Sequence, residues 1–296
     1  MSQASNRLNP LERAPISQSW MDQVQAKPVS ESQVPLLKVD NLSRSFVTHS
    51  RFFRKISKVA FHPLSFTLDR GQTLAIMGDS GSGKSTLAKV LAGVMPPSKG
   101  NIYIDGDKIE PGDDKKRCQL MRMIFQDPNT SLNPRSHIGK ILEMPLSLNT
   151  HLDASQRHEL VLDTLRMVGL LPDHYHFYPQ MISTGQKQRV ALARALILSP
   201  NIIVADEAIS NLDISVRSQI INLLLSLQSR LGLSYVFVAN DLGVVRHISD
   251  QVILLHDGHV VEAGPTQKVL SNPQSEQGLR LLQNYHNEYR WQPNEK

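Results

Sequence analysis

Glycines, hydroxyls and one lysine crowd the segment Gly78-Asp79-Ser80-Gly81-Ser82-Gly83-Lys84-Ser85-Thr86. Glycine lets a backbone fold its N–H groups around an anion, and a helix opening at such a turn adds the positive end of its dipole. The spacing, Gly78, four residues, then Gly83, Lys84 and Ser85, is that of a phosphate-binding P-loop. In such a loop Lys84 reaches the β- and γ-phosphates and the Ser85 hydroxyl binds Mg²⁺. A nucleotide held this way needs a carboxylate at a neighbouring strand end to complete the metal site. Asp206 closes the apolar run 201–206 and qualifies, and Glu207, one residue on, can polarise an attacking water. Acids at strand ends also cap helices, so the P-loop upstream is what turns this pair toward chemistry.

Buried strands and helices must alternate to hold these groups. Residues 73–77 are an apolar run directly before the glycines, and a helix is expected from Lys84 toward Val94, stopped by Pro96-Pro97. Segments 36–40, 64–68, 101–105 and 122–125 read as further strands, and 201–206 as a second buried one. Residues from about 136 to 198 read as mostly helical, with helices over 154–170 and 186–198. Val216, Ile220, Leu224, Leu227 and Leu231 recur at helical spacing, and 251–264 reads as a hairpin turning at Asp257-Gly258. Tyr235 to Val238 is a core strand that ends, after Ala239, at the polar pair Asn240-Asp241. Such alternation predicts an α/β sheet.

The chain of 296 residues is 40% hydrophobic and 20% charged, ordinary for a soluble globular protein. A net charge of +5 is a weak pull toward anionic partners, although Arg44, Arg51, Arg54, Lys55 and Lys58 face no acid locally. Cys118 is the single cysteine, which rules out an internal disulfide framework or a four-cysteine metal site and suits a reducing compartment. Residues 1–35 are polar and proline-punctuated, so a tail is expected there rather than a signal peptide. No run reaches the roughly 18 to 20 apolar residues that span a bilayer, so a membrane role must come through a partner.

Further motifs carry a family resemblance. "MISTGQKQRVALARAL" (181–196) resembles the LSGGQ signature segment of ABC-type ATPases, and it lies between P-loop and acidic strand as in that family. "IFQDP" resembles the Q-loop, with Gln126, and "SNLD" (210–213) the D-loop. Phe46 stands where the family places an aromatic that stacks on adenine. The likeness covers about 36–264 and is greatest to the peptide-importer (oligopeptide/dipeptide) branch, including Sap-type peptide transport systems. It implies a P-loop NTPase with a RecA-like core, an antiparallel β subdomain and an inserted helical subdomain at about 136–198. A polar tail (1–35) would precede it and a short extension (265–296) follow. It also implies ATP and Mg²⁺ as cofactors, with Gln126 reaching metal and nucleotide. Two such ATPases would pair head to tail, so that Ser183, Gly185 and Gln186 of one contact the nucleotide of the other. The partners implied are transmembrane permease subunits, a second ATPase subunit and a substrate-binding protein, at the cytoplasmic face of the inner membrane.

Two positions depart from the family pattern. Thr184 replaces the first signature glycine, and a β-branched residue is costly where φ > 0 or close phosphate approach is needed. Asn240 stands in place of the switch histidine; its amide can donate to a γ-phosphate but cannot carry a proton or a charge. Asn240 would also suit the N-cap of the following helix. These departures raise a second reading, a nucleotide-gated subunit with weak or no hydrolysis. A third, a soluble ABC ATPase acting on nucleic acid, lacks support: only about a hundred residues separate P-loop from signature, without the heptads of coiled-coil arms. The cargo is selected by other proteins and is not written in this chain.

Overall fold

The structure, a computed structural model, describes residues 34–49, 55–110 and 112–290. All but the last two residues of the expected tail lie outside these, as do Arg51 and Arg54. In chain order the first half holds β1 (Leu37–His49), β2 (Lys55–Leu68), β3 (Thr73–Gly78), α1 (Lys84–Leu91), β4 (Lys99–Ile104), β5 (Asp107–Lys108), α2 (Asp114–Leu120) and β6 (Met121–Ile124). Four helices follow: α3 (Pro128–Ser131), α4 (Ile138–Asn149), α5 (Ala154–Met167) and α6 (Thr184–Leu196). The remainder is β7 (Ile202–Asp206), α7 (Ile214–Leu231), β8 (Ser234–Val238), α8 (Leu242–Ile248), β9 (Gln251–His256), β10 (His259–Pro265), α9 (Thr266–Ser271) and α10 (Glu276–Arg290).

Residues 127–199 form one compact unit, and the described residues before and after them form the other. The larger unit contains two sheets. One has the order β2-β1-β4-β5 and is antiparallel; the other has the order β10-β9-β3-β8-β7-β6 and is parallel except for β10. Strands β7 and β8 are buried along their whole length, as continuous apolar runs in a covered parallel sheet must be. Both sheets and α1 share one core, in which Leu42, Phe61 and Ile102 of the antiparallel sheet join Ile76, Val204 and Val236 of the parallel one. In the smaller unit α4, α5 and α6 pack on one another, burying Leu142, Val161, Leu165 and Val190.

Expected and observed elements differ mostly at their ends. The helix from Lys84 stops at Leu91 rather than near Val94, because Gly93 takes a left-handed φ of 80°. Helix α5 stops three residues early, before Gly169 at φ 75°. Helix α6 starts at Thr184, two residues before the expected Gln186, because Ser183 caps it. The hairpin turns as expected, with Asp257 at φ 45° and Gly258 at φ 77°, the paired positive angles of a type I′ turn. Helices α9 and α10 lie in the extension to which the sequence assigned no structure. No described helix is long and apolar enough to cross a membrane.

Candidate active site

Strand order builds the site. In the parallel sheet β3, β8, β7 and β6 are neighbours, with Ile76 beside Val238, Val238 beside Asp206 and Ala205 beside Ile124. Their carboxyl ends therefore deliver the glycine loop, Asn240, Asp206 with Glu207, and Gln126 to one edge, where open α/β sheets bind ligands. A cleft of about 490 Å³ opens there, lined by Ser80, Gly81, Gly83, Lys84, Ser85, Thr86, Gln126, Glu207 and Asn240. Strand β2 closes it with Lys58, Val59 and Ala60, and Phe46 of β1 adds its ring. Ser82 is buried beneath the loop, its hydroxyl without a hydrogen-bond partner among the described residues.

Two glycines are required by contact as well as by angle. A Cβ on Gly78 would lie 1.9 Å from the Leu255 carbonyl oxygen, and one on Gly83 2.3 Å from that of Ala60. Gly83, at φ 100°, opens α1 with no side chain capping it and no acid in the first turn. The free N–H groups of that turn are thus left for an anion. Lys84 is 4% exposed and its Nζ donates to the carbonyls of Gly78 (2.7 Å) and Asp79 (2.8 Å). Burial lowers its pKa, against the pull of Glu207, Asp79 and Asp206. A phosphate beside it would restore the lost charge stabilisation.

Asp206 is 3% exposed, and its Oδ1 has no hydrogen-bond partner among the described residues. Burial raises its pKa, partly offset by a hydrogen bond from the Ser85 hydroxyl and by Lys89. An orphaned carboxylate oxygen beside a hydroxyl is the hard-oxygen donor set that suits Mg²⁺. Glu207 sits at φ 47°, a strained backbone of the kind that collects at functional sites. Both its carboxylate oxygens are held: Gln126 Nε2 donates to Oε2 (2.8 Å) and Asn240 Nδ2 to Oε1 (2.7 Å).

Asn240 does not cap α8, as one sequence expectation had it. Asp241 does, its Oδ1 accepting from Val244 N at 3.1 Å, so the Asn240 amide is left for Glu207. Thr184 needs a second correction. It is the first residue of α6 with ordinary helical backbone, outside the positive-φ residues, so a positive φ is not a source of the expected cost. The three signature residues Ser183, Gly185 and Gln186 belong to the smaller unit. There Ser183 Oγ accepts from Gln186 N (3.3 Å) and Gln186 Oε1 accepts from Ser183 N (2.9 Å), a reciprocal capping box. Residues the sequence reading missed are Lys58, Val59 and Ala60, for which no motif exists, and His256, whose Nδ1 lies 2.9 Å from Asp79 Oδ2. Arg44 stacks over Phe46, 4.9 Å from its centroid.

Residues 61–210 match the family described as ABC transporter. The chain is 54% identical over 247 residues to the putrescine export system ATP-binding protein SapF of Escherichia coli (strain K12), spanning 83% of this chain and 92% of that one. It is equally similar, over the same shares, to the peptide transport system ATP-binding protein SapF of Salmonella typhimurium. A solved dimeric ATP-binding cassette in a post-hydrolysis state, bound to ADP and Pi, superposes with a TM-score of 0.68 at 30% identity, covering 78% of this chain and 98% of that one. A glycine loop, a buried acid and a strained glutamate on one sheet edge, within a chain so similar to these, lead to one conclusion. This chain belongs to the ABC transporter family, as a subunit that binds and hydrolyses ATP to drive transport.

Proposed function

We propose that the cleft at the edge of the parallel sheet holds ATP with Mg²⁺, and that residues 127–199 carry the signature to the nucleotide of a second ATPase subunit. The observation that carries this is the convergence of the glycine loop, Glu207, Gln126 and Asn240 around one cavity, with the buried Asp206 hydrogen-bonded to Ser85 of its lining. The amides at the start of α1 and Lys84 receive the phosphates, and Phe46, with Arg44 over one face, meets the base. Ser85, Asp206 and Gln126 hold the metal. Mg²⁺, when bound, neutralises phosphate charge. Glu207 accepts the proton of the attacking water, and Asn240 and Gln126 orient its carboxylate. The subunit works at the cytoplasmic face of the inner membrane, beside transmembrane permease subunits and a substrate-binding protein, with no nucleic acid partner. Its cargo is a peptide or a related cationic small molecule; the two relatives above are named for a peptide and for putrescine.

A second reading, slow turnover, draws on one observation: a neutral amide at 240 ties up a Glu207 oxygen that a water has to reach. The central test is ATP titration of Lys84→Ala, which should abolish measurable binding, together with native mass spectrometry of Glu207→Gln. That variant should dimerise with ATP, alone or with a related subunit. Unchanged ATP affinity in the lysine variant would overturn the site.

A further inference from the structure

We propose that Arg217 is a positioning residue for hydrolysis, tying the loop that follows Glu207 to the turn that carries Asn240; this rests on the site reading above. Its Nη1 donates to Asp241 Oδ2 at 2.8 Å. Its Nη2 faces the carbonyls of Leu212 (3.2 Å) and Ser210 (3.5 Å). The same guanidinium thus holds the loop after Glu207 through its backbone carbonyls and the Asn240 turn through the Asp241 carboxylate. Ser210 N donates back to the Glu207 carbonyl at 3.1 Å, and Asn240, next to Asp241, donates to the Glu207 carboxylate at 2.7 Å.

Asp241 divides its carboxylate between two tasks. Oδ1 caps α8 through Val244 N, and Oδ2 takes Arg217, so the helix start does not need the arginine. Beside the turn there is also open space. A cavity of about 420 Å³ is lined by Met77, Ile209, Arg217, Asn240, Asp241 and Tyr285, among others. With the arginine removed, the turn has room to relax away from Glu207. A rigid two-pronged fork suits this task in a way a lysine cannot match.

Displacing a catalytic contact by about 1 Å can cost roughly 100-fold in rate. Because Asn240 stays on its strand end, a smaller loss of about tenfold is expected in kcat, with ATP affinity within about twofold. The experiment measures steady-state hydrolysis, ATP affinity and melting temperature of the full chain with Arg217→Met and with Asp241→Asn, which keeps a capping oxygen. Both singles should lower kcat alike, and the double should be no worse than either. Arg217→Lys should recover part of the loss. In an Asn240→Ala background, Arg217→Met should cost nothing further. Unchanged kcat with only a lower melting temperature, or an additive effect in that background, would overturn the proposal. Glu207→Gln run in parallel separates the two ideas: if it hydrolyses ATP normally, the site reading itself has failed.

Discussion

Helix α1 begins at Gly83, with φ 100° and nothing capping it, whereas α6 begins at Ser183 with a reciprocal capping box. One start leaves its first N–H groups open and the other satisfies them from within its own chain. On the site proposed above, the partner of the α1 start is an anion, so phosphate affinity rests on backbone and should not survive a steric change. For α6 the helix is complete without a ligand. Whatever its serine does for a nucleotide is added to a stable turn and is separable from ATP binding by this chain.

The largest effect should come from forcing a side chain into the open start. Gly83→Ala puts a Cβ 2.3 Å from the Ala60 carbonyl oxygen and holds alanine at φ 100°. The angle alone costs about 1–3 kcal/mol, and calorimetric ATP binding should be lost. Gly185→Ala, in the other start, meets helical backbone and should stabilise the fold by about 0.5–1 kcal/mol in denaturant melts. Equal damage from both substitutions would break the contrast.

A third start, that of α8, sharpens it with a smaller effect on rate. Because Asp241 rather than Asn240 is the cap, residue 240 is free to change without loss of helix stability. Asn240→His restores a chargeable donor, and one preorganised donor is worth roughly 100- to 1000-fold. The amide keeps part of that, so turnover should rise about 3- to 30-fold with ATP affinity and melting temperature unchanged. A falling melting temperature would mean that Asn240 supports the fold in some other way.

The same contrast explains what could be read in advance. The glycine loop, Asp206 and the strands that present them follow from local pattern: period, glycine spacing and an acid after an apolar run. Which residue caps α8 was not legible, since Asn240 and Asp241 are both good caps and only the fold decides which faces Val244 N. Nor was it legible that Thr184 needs no positive φ, since only the Ser183–Gln186 box makes it a helix start. The Arg217 fork and the His256–Asp79 contact join residues 24 and 177 positions apart. No local rule reaches that far.

The smallest effect tests whether the signature serine is more than a cap. Ser183→Ala removes the oxygen that accepts from Gln186 N, at a cost of about 1 kcal/mol, or roughly 2–4 °C in a chain of this size. Gln186→Ala removes the other half of the box, the bond at 2.9 Å from Ser183 N to Gln186 Oε1, together with the contact of Gln186 Nε2 with His174 Nε2 at 3.2 Å, and leaves the serine hydroxyl in place. Gln186→Ala should therefore melt no higher than Ser183→Ala, and neither should alter ATP binding by the chain itself. They part company in the dimer. In a Glu207→Gln background, Ser183→Ala should weaken ATP-driven pairing, read by native mass spectrometry, because the hydroxyl hydrogen is free to meet a phosphate even while the oxygen accepts from Gln186 N. Gln186→Ala, which keeps that hydroxyl, should weaken it less even though Gln186 stands beside it at the partner's nucleotide. If the two variants pair equally well, the serine is a cap and the partner's nucleotide is held by other groups.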